Sequence, residues 1–333
     1  MINLSPTSRQ PFREPWTLAH LEHERAIAIG SAIDPSSISS YSSALNSYIT
    51  FCRAHHFPID PTPDTLSFYT VYMCHHIKPK SVDNYLSGIA NQLEPFFPSV
   101  RSHRHHMLVT RTLKGCKKLR PSQVSRKRPI TRMELASLRQ FYLHPSHAMH
   151  DDQLFFTLLL TGFHGLFRLG ELIWPDNKAL QDYRKIILRN TTHVHPTSFD
   201  LHLPGHKGDR FFEGNQVIIQ RTNTDDDPFS PFLTYLASRD RLFPFHPELW
   251  LKSDGSIPTR TWFLRHLYKH FPHDVGGHSM RAGGATALAE AGLPPHIIQA
   301  IGRWSTDTFH IYIRHHPVLL AALLFGFPYN HNP

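Results

Sequence analysis

Apolar residues recur at helical spacing through the first third of the chain. The interval 38–55 shows this most clearly, with apolar residues three or four positions apart at Ile38, Tyr41, Leu45, Tyr48 and Phe51 or Cys52. This spacing places them on one face of a helix that packs against a core. Similar patterns predict further helices over residues 17–30, 64–76, 79–93 and 104–118. The N-terminal part of the chain is therefore expected to be an all-helical domain.

The pattern changes in the second part of the chain, where helical stretches flank a few short β-type runs. Thr131 followed by Glu134 is typical of a capped helix start, and residues 151–172 form a long apolar stretch interrupted by Gly162 and Gly165. Three short runs predict strands at 185–188, 199–203 and 216–220. Helical patterns return after Pro228, over residues 230–239, 260–270, 279–291, 294–301 and 306–314. The predicted fold class is mainly α with a small antiparallel β-sheet.

These patterns divide the chain of 333 residues into two domains joined by a basic linker. Residues 1–16 are polar and contain proline, and we expect them to form a disordered lead. The helical domain is placed at 17–119, the Pro/Ser/basic linker at 120–130 and the second domain at 131–316. Residues 317–333 are expected to form an apolar C-terminal helix, over 317–325, and a tail.

Positive charge is concentrated in the first domain and its linker. The chain has a formal net charge of +9, but residues 1–130 hold 16 basic and 8 acidic side chains, whereas residues 131–333 hold 19 and 18. The interval 101–128 contains ten basic residues and no acidic one. A row of cations of this kind is the electrostatic footprint of a polyanionic partner, most simply double-stranded DNA.

A helix over 104–118 would carry these cations on one face and a core stripe of Val109, Leu113 and Cys116 on the other. The candidate DNA-binding residues are Arg101, Arg104, Arg111, Lys114, Lys117 and Lys118. A solvated helix face is the alternative interpretation. Residues 125–129 have the sequence SRKRP, which is compatible with either a nuclear address or a basic linker.

Other features exclude several classes of protein. The three cysteines, Cys52, Cys74 and Cys116, lack metal-ligand spacing and cannot form a disulfide framework, which indicates a reducing compartment. Residues 1–16 contain no apolar core of a signal peptide, and the longest apolar run, 154–160, is too short to cross a membrane. We expect no membrane partner and no metal. Zinc is the alternative raised by the histidines, which cluster at His103, His105, His106, His193 and His195.

The most specific segment of the sequence begins at residue 277. His278 and Arg281 lie three residues apart at a predicted helix start, so both side chains project from one face of the first turn. Free backbone N–H groups and the positive end of the helix dipole lie beside them. An imidazole, a guanidinium and a helix N-terminus together suit a phosphate group. Gly283 and Gly284 would allow another backbone segment to approach this helix closely.

Further motifs stand in a fixed order around this segment. Residues 165–172 read GLFRLGEL after the apolar helix, residues 204–209 read PGHKGD between two predicted strands, and residues 302–304 read GRW. This order resembles the motifs of the tyrosine recombinases, which include phage integrases, bacterial Xer-type enzymes and fungal Crypton-type mobile-element recombinases. The six matching positions are Arg168, Lys207, His278, Arg281, Trp304 and Tyr312.

The resemblance implies both an architecture and a reaction. The architecture is an N-terminal helical, SAM-like core-binding domain followed by a mixed α/β catalytic domain. In the reaction, Tyr312 would attack a DNA phosphodiester and form a 3′-phosphotyrosyl link without metal, ATP or another cofactor, and the sequence contains no GxxxxGK[ST] loop. Trp304 would donate a hydrogen bond from its indole and pack the site. It precedes Tyr312 by eight residues, whereas nine is usual in many bacterial members.

The same resemblance assigns roles to the remaining residues. Arg168 and Arg281 would hold the non-bridging oxygens of the phosphate as charge develops on it. His278 would hydrogen-bond the phosphate and help to take the tyrosine proton. Lys207, on a glycine-flanked hairpin tip, would protonate the leaving 5′-oxygen. Glu171 is expected to support Arg168 rather than to touch the substrate.

The function predicted from the sequence is that of a site-specific DNA recombinase or integrase from a mobile element. One alternative is a catalytically silent, domesticated DNA-binding protein derived from a recombinase, and another is a type IB topoisomerase-like relaxase. The resemblance further implies a tetramer on DNA, assembled through the apolar segment 317–325. The sequence around GRW and YIRHHP resembles that of fungal elements more closely than that of bacterial members. This resemblance predicts a nuclear protein if the host is a eukaryote, and otherwise a protein of the cytoplasm or nucleoid.

Overall fold

The computed structural model of the chain describes residues 13–121, 127–144, 149–205, 214–305 and Leu320. The chain divides into two compact units, Met1–Val124 and Ser125–Pro333, with the division inside the basic linker predicted from the sequence. We describe each unit by itself. Within the described residues, none of the helices has the length and apolar character that crossing a membrane requires.

The N-terminal unit is built from helices whose starts are set by proline and by capping side chains. The described helices are α1 (Leu18–Ser31), α2 (Pro35–Ala54), α3 (Pro63–His76), α4 (Pro79–Leu93), α5 (Val100–His105) and α6 (Met107–Leu119). Proline opens α2, α3 and α4, at the position where its missing N–H costs nothing. The core contains Tyr48, Leu66, Ile89 and Val109, each 1% exposed or less.

The single helix predicted over 104–118 is wrong, because the chain breaks at His106. This residue has an extended backbone (φ −57°, ψ 145°), and its imidazole accepts the N–H of Leu108 as the cap of α6. A continuous helix would place Val100 and Val109, nine residues apart, on opposite faces. The break allows both valines to be buried in the same core. The predicted core stripe of Val109, Leu113 and Cys116 is confirmed.

The C-terminal unit is organised around one helix that is buried on all sides. Its described helices are α7 (Arg132–Leu143), α8 (His150–His164), α9 (Leu169–Leu172), α10 (Phe229–Leu242), α11 (Arg260–Leu267), α12 (Ser279–Glu290) and α13 (Pro295–Gly302). α7 begins with the predicted capping box of Thr131 and Glu134. α8 has buried residues around its whole circumference, as expected of the central helix in a helical domain. It packs against α7, α10 and α12.

A three-stranded antiparallel sheet completes the C-terminal unit, in the order β1 (Thr192–Val194), β2 (Ser198–Leu203), β3 (Asn215–Gln220). Phe199 pairs with Ile219, and Leu201 pairs with Val217, which places an apolar face on the core. The predicted small sheet is confirmed. The strand predicted at 185–188 is wrong: Lys185 ends a short 3-10 helix (Tyr183–Lys185), where the Asp182 carboxylate accepts the N–H of Arg184, and Leu188 forms an isolated bridge to Glu248 outside the sheet. Such local hydrogen bonds favour a turn over a strand.

The two glycines at 283 and 284 allow the close approach that the sequence predicts. A Cβ atom on Gly283 would collide with the carbonyl oxygen of Ile130, and one on Gly284 would collide with that of Phe163. Phe163 lies near the end of α8, so α12 runs against α8 with almost no space between their backbones. This contact holds the N-terminus of α12 at a fixed distance from the end of α8.

Replacing Gly284 with alanine is expected to destabilise the C-terminal unit. Alanine normally stabilises a helix interior by up to about 1 kcal/mol relative to glycine, but overpacking against a backbone carbonyl costs about 1–3 kcal/mol. The measurement is urea unfolding followed by tryptophan fluorescence, because four of the five tryptophans lie in this unit.

Gly115→Ala in α6 is the matched control for that substitution. A Cβ there meets no atom within 4 Å, so this variant should be as stable as the wild type or slightly more stable by circular dichroism. Equal stability of the wild type and Gly284→Ala would contradict the close contact between α12 and α8.

Candidate active site

The first part of the site is the turn that joins α8 to α9. α8 ends at His164, and Leu166 then adopts a left-handed backbone conformation with φ +50°. Arg168 is the N-cap of α9, and its backbone N–H donates to Glu171 Oε2 over 2.9 Å. The Arg168 side chain, 23% exposed, donates from Nη1 to Glu171 Oε1 over 2.7 Å. The contact expected between Glu171 and Arg168 is therefore present.

The second part of the site is the N-terminus of α12. His278 is the N-cap residue and is exposed, whereas Arg281, one turn later, is 1% exposed. The preceding residue, Gly277, packs against Leu169, because a Cβ atom at Gly277 would overlap the Leu169 side chain. This contact brings the first turn of α12 beside the first turn of α9, and so His278 beside Arg168.

Arg281 is bound to both neighbouring segments. Its Nη1 donates to the carbonyl oxygen of Leu166 over 2.6 Å, and its Nη2 donates to the carbonyl oxygen of Gly302. The guanidinium carbon lies 4.3 Å from the centre of the Trp304 ring, which is 9% exposed. A buried cation above an indole face is a favourable cation–π contact. Trp304 thus packs the site as expected, directly against Arg281.

Electrostatics at the site favour a neutral imidazole. Desolvation lowers the pKa of His278 below its ordinary value of 6.5, and the positive charges of Arg281, Arg168 and Arg260 lower it further, while Glu171 opposes them. An uncharged imidazole can accept a proton, which is what a general base must do. The same positive charges would stabilise a bound anion.

The structure therefore brings together four of the residues singled out in the sequence, namely Arg168, His278, Arg281 and Trp304, together with Glu171. Lys207 and Tyr312 lie outside the described residues, as do the predicted helix over 306–314 and, apart from Leu320, the apolar segment 317–325.

Sequence reasoning missed Arg303, which stands between Gly302 and Trp304. Its side chain reaches Glu171 and the 165–168 turn. The sequence signal for Arg303 is its place inside the GRW motif, next to Trp304.

The six candidate DNA-binding residues of the N-terminal unit divide into two groups. Arg104 is 19% exposed and bonds to Asp83 and Ser87, Lys117 pairs with Asp83, and Arg101 pairs with Glu94. Arg104 is therefore engaged inside the unit rather than displayed in a cation row, because the break at His106 moves it away from the α6 face.

The second group consists of Arg111, Lys114 and Lys118, which lie on one face of α6. All three are exposed, and no ion pair or hydrogen bond to the rest of the described chain is found for their side chains. We call these three residues the α6 cation face. It is the part of the predicted cation row that remains available to a partner.

The histidine clusters raised as possible zinc ligands have other partners. His193 Nδ1 lies 2.9 Å from Asp200 Oδ1, and His195 Nε2, in the residue that follows β1, lies 2.7 Å from Asp200 Oδ2. Among the residues described by the structure, no group of three or more His, Cys, Asp or Glu side chains is arranged to hold a metal ion.

Comparison with known proteins identifies the fold. No protein-family model and no curated protein matched the sequence. Among solved structures, the chain is similar to the XerH site-specific recombinase bound to a palindromic difH substrate in a post-cleavage complex, with a TM-score of 0.57, 16% identity, and coverage of 86% of this chain and 78% of that one. A lambda integrase dimer bound to a COC′ core site gives a TM-score of 0.51 at 14% identity, covering 88% and 76%.

A third similar structure is the Tn1549 transposon integrase in complex with circular intermediate DNA, with a TM-score of 0.50, 15% identity and coverage of 82% and 94%. At these identities the similarity defines the fold. The chain has the tyrosine recombinase fold, and the resemblance to that family inferred from the motifs is confirmed at the level of the fold.

The environment of His278 predicts a specific dependence of stability on pH. Its pKa is lower in the folded protein than the ordinary value of 6.5, so below that pH the unfolded state binds more protons than the folded state. The unfolding free energy of the wild type should therefore fall, relative to that of His278→Gln, as the pH is lowered from 8 to 5.

Urea unfolding followed by tryptophan fluorescence at several pH values measures this difference. His278→Gln removes the titrating group, and the groups that face it, Arg168, Arg281, Arg260 and Glu171, are the same in both proteins. The prediction would be contradicted if the difference in unfolding free energy between the two proteins stayed constant, or if the wild type became relatively more stable at low pH. Either result would mean that folding does not lower the pKa of His278.

Proposed function

We propose that this protein is a site-specific DNA recombinase or integrase that breaks and rejoins DNA through a 3′-phosphotyrosyl intermediate. The observation that carries the proposal is the convergence of Arg168, His278 and Arg281 in a chain with the tyrosine recombinase fold. Two guanidiniums, an imidazole and a helix N-terminus at one place form a site for a phosphate group.

The two arginines would act on the phosphate from different depths. Arg168 has the more accessible guanidinium, with one terminal nitrogen directed to Glu171. Arg281 is buried, and its two terminal nitrogens donate to backbone carbonyls. In this state Arg281 acts on the site through its positive charge. For Arg281 to bond a phosphate oxygen directly, its terminal nitrogens would have to share or exchange the two carbonyl contacts when DNA binds. Losing one preorganised donor of this kind raises the barrier by about 3 kcal/mol.

The remaining steps concern proton transfer. In this proposal the Tyr312 hydroxyl attacks phosphorus, its proton passes to the neutral imidazole of His278, and Lys207 donates a proton to the leaving 5′-oxygen. The phosphodiester bond is exchanged for a phosphotyrosyl bond, so that a 5′-hydroxyl on another strand can reverse the step. The roles of Tyr312, Lys207 and Trp304 are supported by their positions in the motifs.

Three further parts of the proposal follow from the resemblance. The protein would assemble as a tetramer on DNA through the apolar segment 317–325, it would derive from a mobile element, and it would act in the nucleus of a eukaryotic host. The neighbouring structures that carry DNA, including the lambda integrase dimer on its core site, support binding of a DNA site by more than one copy of the chain.

Tyr312→Phe is expected to abolish a covalent protein–DNA adduct while leaving DNA binding intact, because phenylalanine lacks the attacking oxygen. The substrate would be a duplex selected by binding from a random-sequence library and nicked close to the bound region, so that the cleaved end diffuses away and the adduct accumulates. The adduct is measured on a denaturing gel, and mass spectrometry identifies the modified residue.

The adduct assay, together with DNA binding and plasmid relaxation, separates the three candidate functions. Tight binding by the wild type without any adduct would favour a silent DNA-binding protein and remove the proposed activity. Relaxation of a supercoiled plasmid that lacks the selected sequence would favour a topoisomerase-like relaxase. An adduct in both the wild type and Tyr312→Phe would assign the nucleophile to another residue.

Neutralising the α6 cation face is expected to weaken DNA binding and its dependence on salt. Each phosphate contact contributes about 0.9 to the slope of log affinity against log salt concentration, so Arg111→Gln/Lys114→Gln/Lys118→Gln should lower the magnitude of the slope by about 3. Fluorescence anisotropy of a labelled duplex at a series of salt concentrations measures it.

The matched control is Arg53→Gln/Lys78→Gln/Lys80→Gln, which removes three exposed cations from other helices and loops of the same unit. The control should retain most of the wild-type slope. Equal losses in the two triple variants would mean that only net charge matters, and that the α6 cation face is not a contact surface.

A further inference from the structure

Arg303 occupies an unusual position for an arginine. It ends α13 in a left-handed backbone conformation with φ +55°, and its side chain is only 9% exposed. Burying a guanidinium is costly unless its donors are satisfied. A positive φ in a non-glycine residue costs additional free energy, and such a conformation persists only where the surrounding structure imposes it.

Each terminal nitrogen of Arg303 donates to two acceptors, whereas its buried Nε has no hydrogen-bond partner among the described residues. Nη1 donates to the carbonyl oxygens of Gly165 over 3.2 Å and of Ile301 over 3.1 Å. Nη2 donates to the carbonyl oxygen of Leu166 over 3.1 Å and to Glu171 Oε2 over 3.4 Å. These two nitrogens carry four N–H bonds, which meet four acceptors. The guanidinium carbon also lies 4.9 Å from the centre of the Phe167 ring.

Two of these four acceptors, Glu171 and the Leu166 carbonyl, also bind the two arginines proposed to bind phosphate. Glu171 uses its other carboxylate oxygen for the Arg168 side chain. The Leu166 carbonyl also accepts Nη1 of Arg281. Arg303 therefore contacts both the Glu171 carboxylate, which binds Arg168, and the Leu166 carbonyl, which binds Arg281.

We propose that Arg303 is a positioning residue for DNA strand cleavage, an inference that rests on the proposed function. It fixes the left-handed turn at Leu166 and the Glu171 carboxylate, and through them the directions of Arg281 and Arg168, without touching the DNA phosphate itself. The rival assignment is a phosphate ligand, because Arg303 precedes Tyr312 by the nine residues usual in many bacterial members. The four occupied N–H bonds favour the positioning role.

The test measures DNA affinity and the first-order rate of adduct formation at saturating protein, on the nicked duplex described above. Arg303→Met should bind DNA with nearly wild-type affinity, because no phosphate contact is lost, but should form the adduct about 100-fold more slowly, the cost of a small misplacement of catalytic groups. Arg303→Lys should also be slow, since one ammonium group cannot reproduce a planar fork that serves four acceptors.

A double-mutant cycle with Glu171→Gln tests the route of the effect. If Arg303 acts through Glu171, the double variant Arg303→Met/Glu171→Gln should react at about the rate of the slower single variant, because both substitutions remove the same arrangement. Arg241→Met, which removes an exposed arginine from α10, is the control and should react at the wild-type rate.

Three results would overturn the inference. The first is a wild-type rate of adduct formation in both Arg303 variants. The second is near-wild-type activity in Arg303→Lys together with a loss of DNA affinity in Arg303→Met, which would indicate a phosphate ligand. The third is a double variant whose rate loss is the product of the losses in Arg303→Met and Glu171→Gln, which would mean that the two residues act independently. Thermal unfolding followed by tryptophan fluorescence establishes that each variant is folded, and if Arg303→Met is not, the cycle is run with Arg303→Lys. Absence of an adduct in the wild type would instead remove the proposed function, so the two failures are distinct.

Discussion

The carbonyl oxygen of Leu166 is the acceptor on which the site depends. It receives one hydrogen bond from Arg281 on α12 and one from Arg303 after α13, so that a single backbone atom joins three segments far apart in sequence. A carbonyl has two lone pairs and can accept both. The left-handed conformation of Leu166 turns this oxygen towards the guanidiniums, and hydrogen bonds to charged donors are strong enough to maintain a conformation that leucine otherwise avoids.

The network around this carbonyl carries more positive than negative charge. Glu171 pairs with Arg168 and Arg303, Arg281 donates to backbone carbonyls, and the positive end of the α12 dipole adds to these three positive charges. Such an arrangement costs folding free energy in the absence of an anion, and a bound phosphate would relieve it. Sites that bind charged transition states commonly store instability of this kind, at the expense of the stability of the free protein.

The sequence predicted those features that depend on local signals. α4 begins and ends where its proline and apolar period indicate, and the capping box at Thr131 forms as expected. The break at His106 was missed because no glycine or proline marks it, and only the burial of two valines in one core requires it. The positive φ of Leu166 and Arg303 has the same origin: tertiary hydrogen bonds impose conformations for which these residue types have no preference. The GRW motif holds a packing indole, Trp304, and a buried guanidinium, Arg303, and only the contacts of the two side chains distinguish their roles.

The contact of Gly283 and Gly284 with neighbouring backbone has a mechanical consequence. Helices that pack through long side chains can slide by an ångström or two as rotamers adjust, which is the usual basis of shear motion. α12 and α8 leave no room for such sliding at Gly284, where the main-chain oxygen of Phe163 faces the glycine directly, and Gly283 faces the main-chain oxygen of Ile130 in the same way. A rearrangement within the C-terminal unit is therefore expected to carry these two helices together as one rigid body.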